Sequence, residues 1–325
     1  MQQSGMMIKV SEPPQDDRPV GGRDYPRTYP EFRDWFPDEG SCVEYLERLR
    51  WPKGFICPVC ASSGGWRIAG GKWMCRVCGR KTSVTAGTIF HRTHSPLSSW
   101  FAAIWFVTSQ KNGVSALGLQ QAMGFGSYET AWAWLHKLRR AMVRPDRDLL
   151  TGVVEVDETF VGGVTSGTDG SGTDKVPVQI AVEKLDRNRL GRVRFAVADR
   201  PGTLELVEFA CRTVEPGSLI RTDGARMLRR LTERGYRHEY VDVYASLDKS
   251  KELPGVHRVA SLLKRWLAGT LHYRVSDKHL EYYLDEYAFR FNRRTSRARG
   301  MLFYRLLQQA VGTDPHPLHD LIDPA

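Results

Sequence analysis

The chain has 325 residues, 41% of them hydrophobic, which is enough for two or three domains with cores of their own. Its formal net charge of +10 points to a polyanionic partner, nucleic acid ahead of a membrane surface. No apolar run approaches the roughly 18 residues of a membrane-spanning helix, and six cysteines spread over so long a chain exclude a small secreted disulfide scaffold.

Residues 1–27 are polar, with Pro13, Pro14, Asp16 and Asp17 and no apolar core of a signal peptide, and read as a flexible leader on a cytoplasmic protein. Residues 28–94 hold four cysteines as two pairs, Cys57-Pro-Val-Cys60 and Cys75-Arg-Val-Cys78, with 14 residues between them. Each pair makes a short turn presenting two thiolates, and two such turns enclose a tetrahedral Zn2+. The stretch between the pairs has hairpin composition: Trp66 and Ile68 alternate, Gly70-Gly71 turns the chain and Trp73 returns. A zinc ribbon is expected here, the metal standing in for a large core. Lys72, Arg76, Arg80 and Lys81 surround the knuckles and suit DNA phosphates.

Residues 95–145 read as helical. One buried helix starts near Ser98, and Ser115 opens a shorter one that ends at Gly124. After the Gly124-Phe125-Gly126 turn, Ser127 caps a third helix, with Glu129 in its first turn and Lys137, Arg139 and Arg140 towards its end. Short helix, glycine turn and basic helix make a helix-turn-helix-like DNA-binding pattern. Arg144 to Asp148 (RPDRD) breaks the periodicity and reads as a linker.

Residues 150–312 alternate between strand and helix signals. A β-branched run, Val153 to Val161, carries Asp157 and Glu158. A carboxylate in such a run costs desolvation unless a cation or donor satisfies it. A Gly/Ser/Thr-rich loop from Gly162 to Lys175 follows. Strands are expected at 178–182 and 193–197, a helix at 203–213, and a fourth strand that ends in Asp223-Gly224. The order β-β-β-α-β, with one acid in the first strand and another just past the fourth, is the layout of a ribonuclease-H-like fold. Its first and fourth strands lie side by side, so Asp157 and Asp223 would face one pair of Mg2+ or Mn2+ ions. Glu158 is the alternative to Asp157 as ligand. The expected architecture is α+β and multidomain, with a tail at 313–325.

The segments DETFVGG, RTDGARML, HRVASLLKRWLAGTLH and EYAFRFNRR, behind a ribbon of this spacing, resemble the zinc-ribbon ISXO-like insertion-sequence transposases, relatives of the DDE class. The resemblance covers roughly residues 36–311. It implies a ribonuclease-H-like catalytic domain, a divalent metal and binding to terminal inverted repeats. Carried over, Asp157 is the first metal-binding carboxylate and Asp223 the second. DDE enzymes mostly place a glutamate third, on a helix, with Lys or Arg seven residues on. Here His257 stands 34 residues after Asp223 with Lys264 seven further, so His257 aligns with the glutamate and suits Mn2+ better than Mg2+. Glu252 is the competing third ligand. Lys264, Arg265, Arg293 and Arg294, with neighbouring Arg290, are expected on DNA phosphates. The resemblance implies DNA cleavage and strand transfer by a homo-oligomer on the nucleoid. A stand-alone nuclease of the same fold and a catalytically decayed DNA-binding protein are the alternatives.

Overall fold

The computed structural model describes residues 18–144, 146–162, 175–186, 189–223, 230–240, 253–271 and 277–322. Helices α1 (Tyr29–Trp35) and α2 (Glu39–Arg50) come first, α2 opened by a capping box between Asp38 and Ser41. A three-stranded antiparallel sheet follows: β1 (Gly65–Ile68), β2 (Lys72–Cys75) and β3 (Lys81–Ser83). The three-residue connection Ala69-Gly70-Gly71 between β1 and β2 holds both glycines at positive φ, where a side chain is disfavoured. Three helices come next: α3 (Leu97–Ser109), α4 (Ala116–Met123) and α5 (Tyr128–Ala141). Ser115 caps α4, Gly124 ends it at φ 66°, and Ser127 caps α5, as the sequence pattern predicts. Pro96 precedes α3 and offers no cap; the Glu39 carboxylate reaches across from α2 to accept the Leu97 and Ser98 N–H groups at 2.7 and 3.0 Å.

The second half is a three-layer unit with a mixed sheet in the middle. Its strands are β4 (Val153–Val161), β5 (Val176–Lys184), β6 (Leu190–Val197), β7 (Leu219–Thr222) and β8 (Arg237–Tyr240), in spatial order β6-β5-β4-β7-β8. The first three pair antiparallel, and β7 and β8 join parallel to β4. This mixed α+β sheet is consistent with the ribonuclease-H-like expectation. Val154, Val156 and Ile220 point to one face, covered by α6 (Thr203–Thr213) and α7 (Arg230–Glu233). Val161, Ile180, Val182 and Val193 point to the other, covered by α8 (Pro254–Leu271) and α9 (Leu280–Asn292). The alternation along β4 therefore assigns each of its carboxylates to a face. Helices α10 (Arg299–Ala310) and α11 (Leu318–Ile322) end the described chain. No described helix is long and apolar enough to cross a membrane.

Several expectations are corrected. Residues 20–27 are not a flexible leader: Tyr25 is buried, the Tyr45 hydroxyl donates to the Asp24 carbonyl, and Gly300 lies so close to Pro26 that a Cβ there would strike its carbonyl. Residues 1–17 lie outside the described chain, as does most of the Gly162 to Lys175 loop. α9 ends at Asn292, and α10, which the sequence places in the 150–312 unit, packs instead into the first. Leu302, Phe303, Leu306 and Leu307 fill the core formed by Phe32, Phe101 and Ile104. β8 and α7 are four residues each, too short for a periodicity to announce them.

Arg290 is also turned inward. Glu286, at the centre of α9, accepts from Arg139 of α5 at 2.8 Å and from Arg290 at 2.7 Å. Arg290 donates further to the carbonyls of Gln110 and Val107 at the end of α3. Burial pushes the Glu286 carboxyl up, but Arg290 and Arg139 outweigh it and hold it below the usual carboxylate range. This triad bolts the helical unit to the sheet unit. Removing one member strands buried charge, so Glu286→Ala should cost about 3–5 kcal/mol in urea unfolding. A loss under about 1 kcal/mol would show the junction to be held by packing alone.

Candidate active site and zinc centre

The ribbon brings its four thiols together. Cys57 and Cys60 lie in one knuckle, Cys75 and Cys78 in the other, and all four sulfurs are within 4.8 Å of one another. Cys57 and Cys78 Sγ are 3.7 Å apart and Cys60 and Cys75 Sγ 3.6 Å. A tetrahedron with zinc–sulfur arms of about 2.3 Å has edges of about 3.8 Å, so the donor set fits Zn2+. The knuckle turns close through Ala61 N–H to Cys57 O and Gly79 N–H to Cys75 O, with Gly79 at φ 66°. The Ser62 hydroxyl and N–H lower the Cys60 thiol to about 6, favouring the thiolate a metal needs. Glu47 of α2 docks the ribbon by accepting from Trp73 Nε1 at 2.9 Å and from Arg67. Lys72, Arg76, Arg80 and Lys81 are all exposed.

The acidic site is built on β4, β7 and α8. β7 lies parallel to β4 with Leu219, Ile220 and Arg221 level with Val153, Val154 and Glu155. Two residues further along each strand stand Asp157 and Asp223. Odd-numbered β4 residues face α8, so Asp157 faces it, and His257 is in that helix's first turns. The Asp157 carboxyl registers all of this. Burial raises it to about 6; its bond from the Glu158 N–H pulls it down, Asp223 pushes it up and His257 pulls it down. Of the three sequence-predicted side chains, Asp223 and His257 thus sit close enough to act on Asp157. They form an open arrangement: among the described residues only the four cysteines come within 4.8 Å as a group.

Glu158 points to the opposite face, where burial raises its carboxyl, the Gly202 backbone N–H lowers it, and its acidic neighbours are Asp157 and Glu205. The structure therefore brings Asp157, not Glu158, to the His257 side. Glu252 and Gly224 lie outside the described residues. Lys264, two turns beyond His257, is half-buried, and Arg265 is exposed. Arg293 and Arg294 are committed to internal bonds: Arg293 to Phe289 O, Arg294 to Gly191, Phe291 and Leu190 carbonyls, each guanidinium 4.1 Å from a phenyl ring. Sequence reading missed one acid of the Asp157 face. Glu155 is 1% exposed, and its signal was available: a carboxylate at even spacing from Asp157 in a strand otherwise apolar.

Residues 149–292 match the family of the ISXO2-like transposase domain, and residues 37–81 match the transposase zinc-ribbon domain. The chain belongs to the zinc-ribbon ISXO2-like transposases. No curated protein matches it. In this transposase the domain match ends at Asn292, the last residue of α9, which agrees with α10 belonging to the other core.

Two outcomes follow for the transposase. Stripping zinc with a chelator should open β1–β3 and leave the five-stranded sheet folded, read as loss of hydrogen-exchange protection confined to residues 55–83. Asp157 holds its proton more tightly folded than unfolded, so it penalises the folded state as pH rises through its unfolded value of about 3.9. The penalty is complete above the folded value of about 6. Without added divalent cation, Asp157→Asn should therefore stabilise the protein by about 1–3 kcal/mol near neutral pH and by little at about pH 4. Equal effects at both pH values would contradict a strained carboxylate.

Proposed function

We propose that this transposase binds the terminal inverted repeats of an insertion sequence, cuts a phosphodiester at each element end and joins the freed end to target DNA. The observation that carries the reading is the placement of Asp157, Asp223 and His257 on adjacent parallel strands and the α8 N-terminal turns, where Asp223 and His257 both act on the buried Asp157 carboxyl. Two carboxylates that repel one another, one of them desolvated, are a donor set that a divalent cation relieves. Asp157, Asp223 and His257 would hold Mg2+ or Mn2+, which supplies activation of the attacking oxygen and charge neutralisation at the leaving oxygen.

The chain's own residues bind and align. Asp157 is kept from bulk water and Asp223 lies at an exposed strand end, so the DNA reaches the pair from one side. Hydrolysis at the element end leaves a 3′-hydroxyl and a 5′-phosphate. That hydroxyl then attacks a target phosphodiester, exchanging one bond for another with no covalent link to the protein. His257 adds no negative charge, which favours Mn2+ over Mg2+. Lys264 and Arg265 lie along α8 beside the site and contact DNA phosphate; the internal bonds of Arg293 and Arg294 leave them fewer donors for that role. The ribbon's basic knuckle and the exposed start of α5 add further DNA surface. Two ends must be held together, so the working species is a homo-oligomer on DNA in the prokaryotic cytoplasm.

A strand-transfer assay with precut inverted-repeat ends tests this. Asp157→Asn and Asp223→Asn should each lose several kcal/mol of transition-state stabilisation, about a thousandfold in rate. Wild-type activity in Asp157→Asn would remove the site assignment, and hydrolysis without joining would mark a nuclease. Lys264→Ala and Arg265→Ala should each lower the salt-dependence slope of DNA binding by about one unit. An unchanged slope would take that residue off the phosphate track.

A further inference from the structure

Among the described residues, the segment that opens α8 supplies no side-chain cap for it. It opens Leu253-Pro254-Gly255-Val256, with no serine, threonine, aspartate or asparagine to accept its first N–H groups. Leu253 is buried and apolar. The missing acceptor comes from the sheet: Glu155 of β4 takes the Val256 N–H at 2.9 Å. Its other oxygen lies 3.4 Å from Lys184 Nζ on the neighbouring strand. The carboxylate is 1% exposed, so both partners hold it in place.

The approach of helix to strand is close. A Cβ at Gly255 would come within 2.6 Å of Glu155 Oε2 and 3.1 Å of Lys184 Cδ and Leu190 Cδ2. A side chain there would have to push the Glu155 carboxylate away from its place over the helix start. His257 follows Val256 directly, and Asp157 stands two residues beyond Glu155 on the same face of β4. One bond thus ties the first turn of the helix to the strand, one residue from His257 and two from Asp157. We infer that Glu155, through its bond to Val256 N–H over Gly255, is a positioning residue that sets His257 at the height where its imidazole shares a cation with Asp157 and Asp223. This rests on the proposed metal site. Glu155 itself touches no substrate; it acts through α8.

The test uses the full zinc-loaded chain and Mn2+ as probe, read by electron spin echo modulation, which detects imidazole nitrogen bound to Mn2+. The wild type should show nitrogen coupling, and His257→Ala should lose it. Glu155→Ala and Gly255→Ala should also lose the coupling and weaken Mn2+ binding about tenfold, as loss of an orienting group does. Glu155→Gln, which keeps an oxygen for Val256 N–H, should restore the coupling. Adding His257→Ala to Gly255→Ala should weaken binding no further, since the ring is already displaced. Retained coupling in folded Gly255→Ala or Glu155→Ala, or additive losses in the double variant, would overturn the positioning role while leaving the metal site standing. Should Glu155→Ala fail to fold, Gly255→Ala and Glu155→Gln decide alone. Unchanged Mn2+ binding in Asp157→Asn would instead overturn the site, a separate and distinguishable result.

Discussion

The parallel ladder between β4 and β7 holds Asp157 beside Asp223 in a place that costs Asp157 its hydration. Asp157 is desolvated and repelled by Asp223, and the cost appears as a carboxyl raised to about 6. What keeps them there is backbone pairing: once Val153 and Val154 lie level with Leu219 and Ile220, the two aspartates come into line without further choice. Val154, Val156 and Ile220 fill the core on the α6 side. A slip of one residue would turn those apolar side chains to the α8 side and the acids to the α6 side, so the register that serves packing also serves the acids. Strain at a polar site is held by the apolar side of the same strands.

Two helix starts in this protein are set by residues from elsewhere in the fold. Glu39 caps α3 from α2, and Glu155 caps α8 from β4. In each case the residue directly before the helix is a proline or a leucine, and a glutamate distant in sequence supplies an acceptor. Such a cap fixes where the helix sits as well as satisfying its N–H groups, because the carboxylate is itself anchored. For α8 that placement matters most, since His257 rides on its first turns.

The two halves of this transposase are not beads on a string. α10 leaves the sheet unit and fills the core beneath α1 and α3, and Glu286 of α9 binds Arg139 of α5 and Arg290, which in turn caps the end of α3. The ribbon and helices are therefore joined to the sheet unit through buried, charge-paired contacts rather than a loose hinge. The C-terminal end of the stretch read as a linker, Arg144 to Asp148, is not a free joint, for Arg194 donates to the Asp148 carbonyl and Arg192 to that of Leu149.

Local chemistry in the chain was enough to place the ribbon, the Ser115 and Ser127 caps, the Gly124 stop and the alternating strands, because each depends on residues within a few positions of one another. The two cysteine pairs announced a metal for the same reason: their geometry is decided within each knuckle. Asp157, Asp223 and His257 could be named from motif and spacing, yet which face each occupied depended on pairing between strands more than 60 residues apart. Only tertiary structure turned Glu158 away, buried Arg290 in an ion triad, tied Arg293 and Arg294 to internal carbonyls and gave α10 to the other core. Those outcomes turn on what a side chain meets across space, and a run of basic residues on a helix looks the same in sequence whether it faces phosphate or a buried glutamate. Glu155 belongs to the same class: its partner, a bare N–H at the head of a distant helix, exists only once the chain has folded.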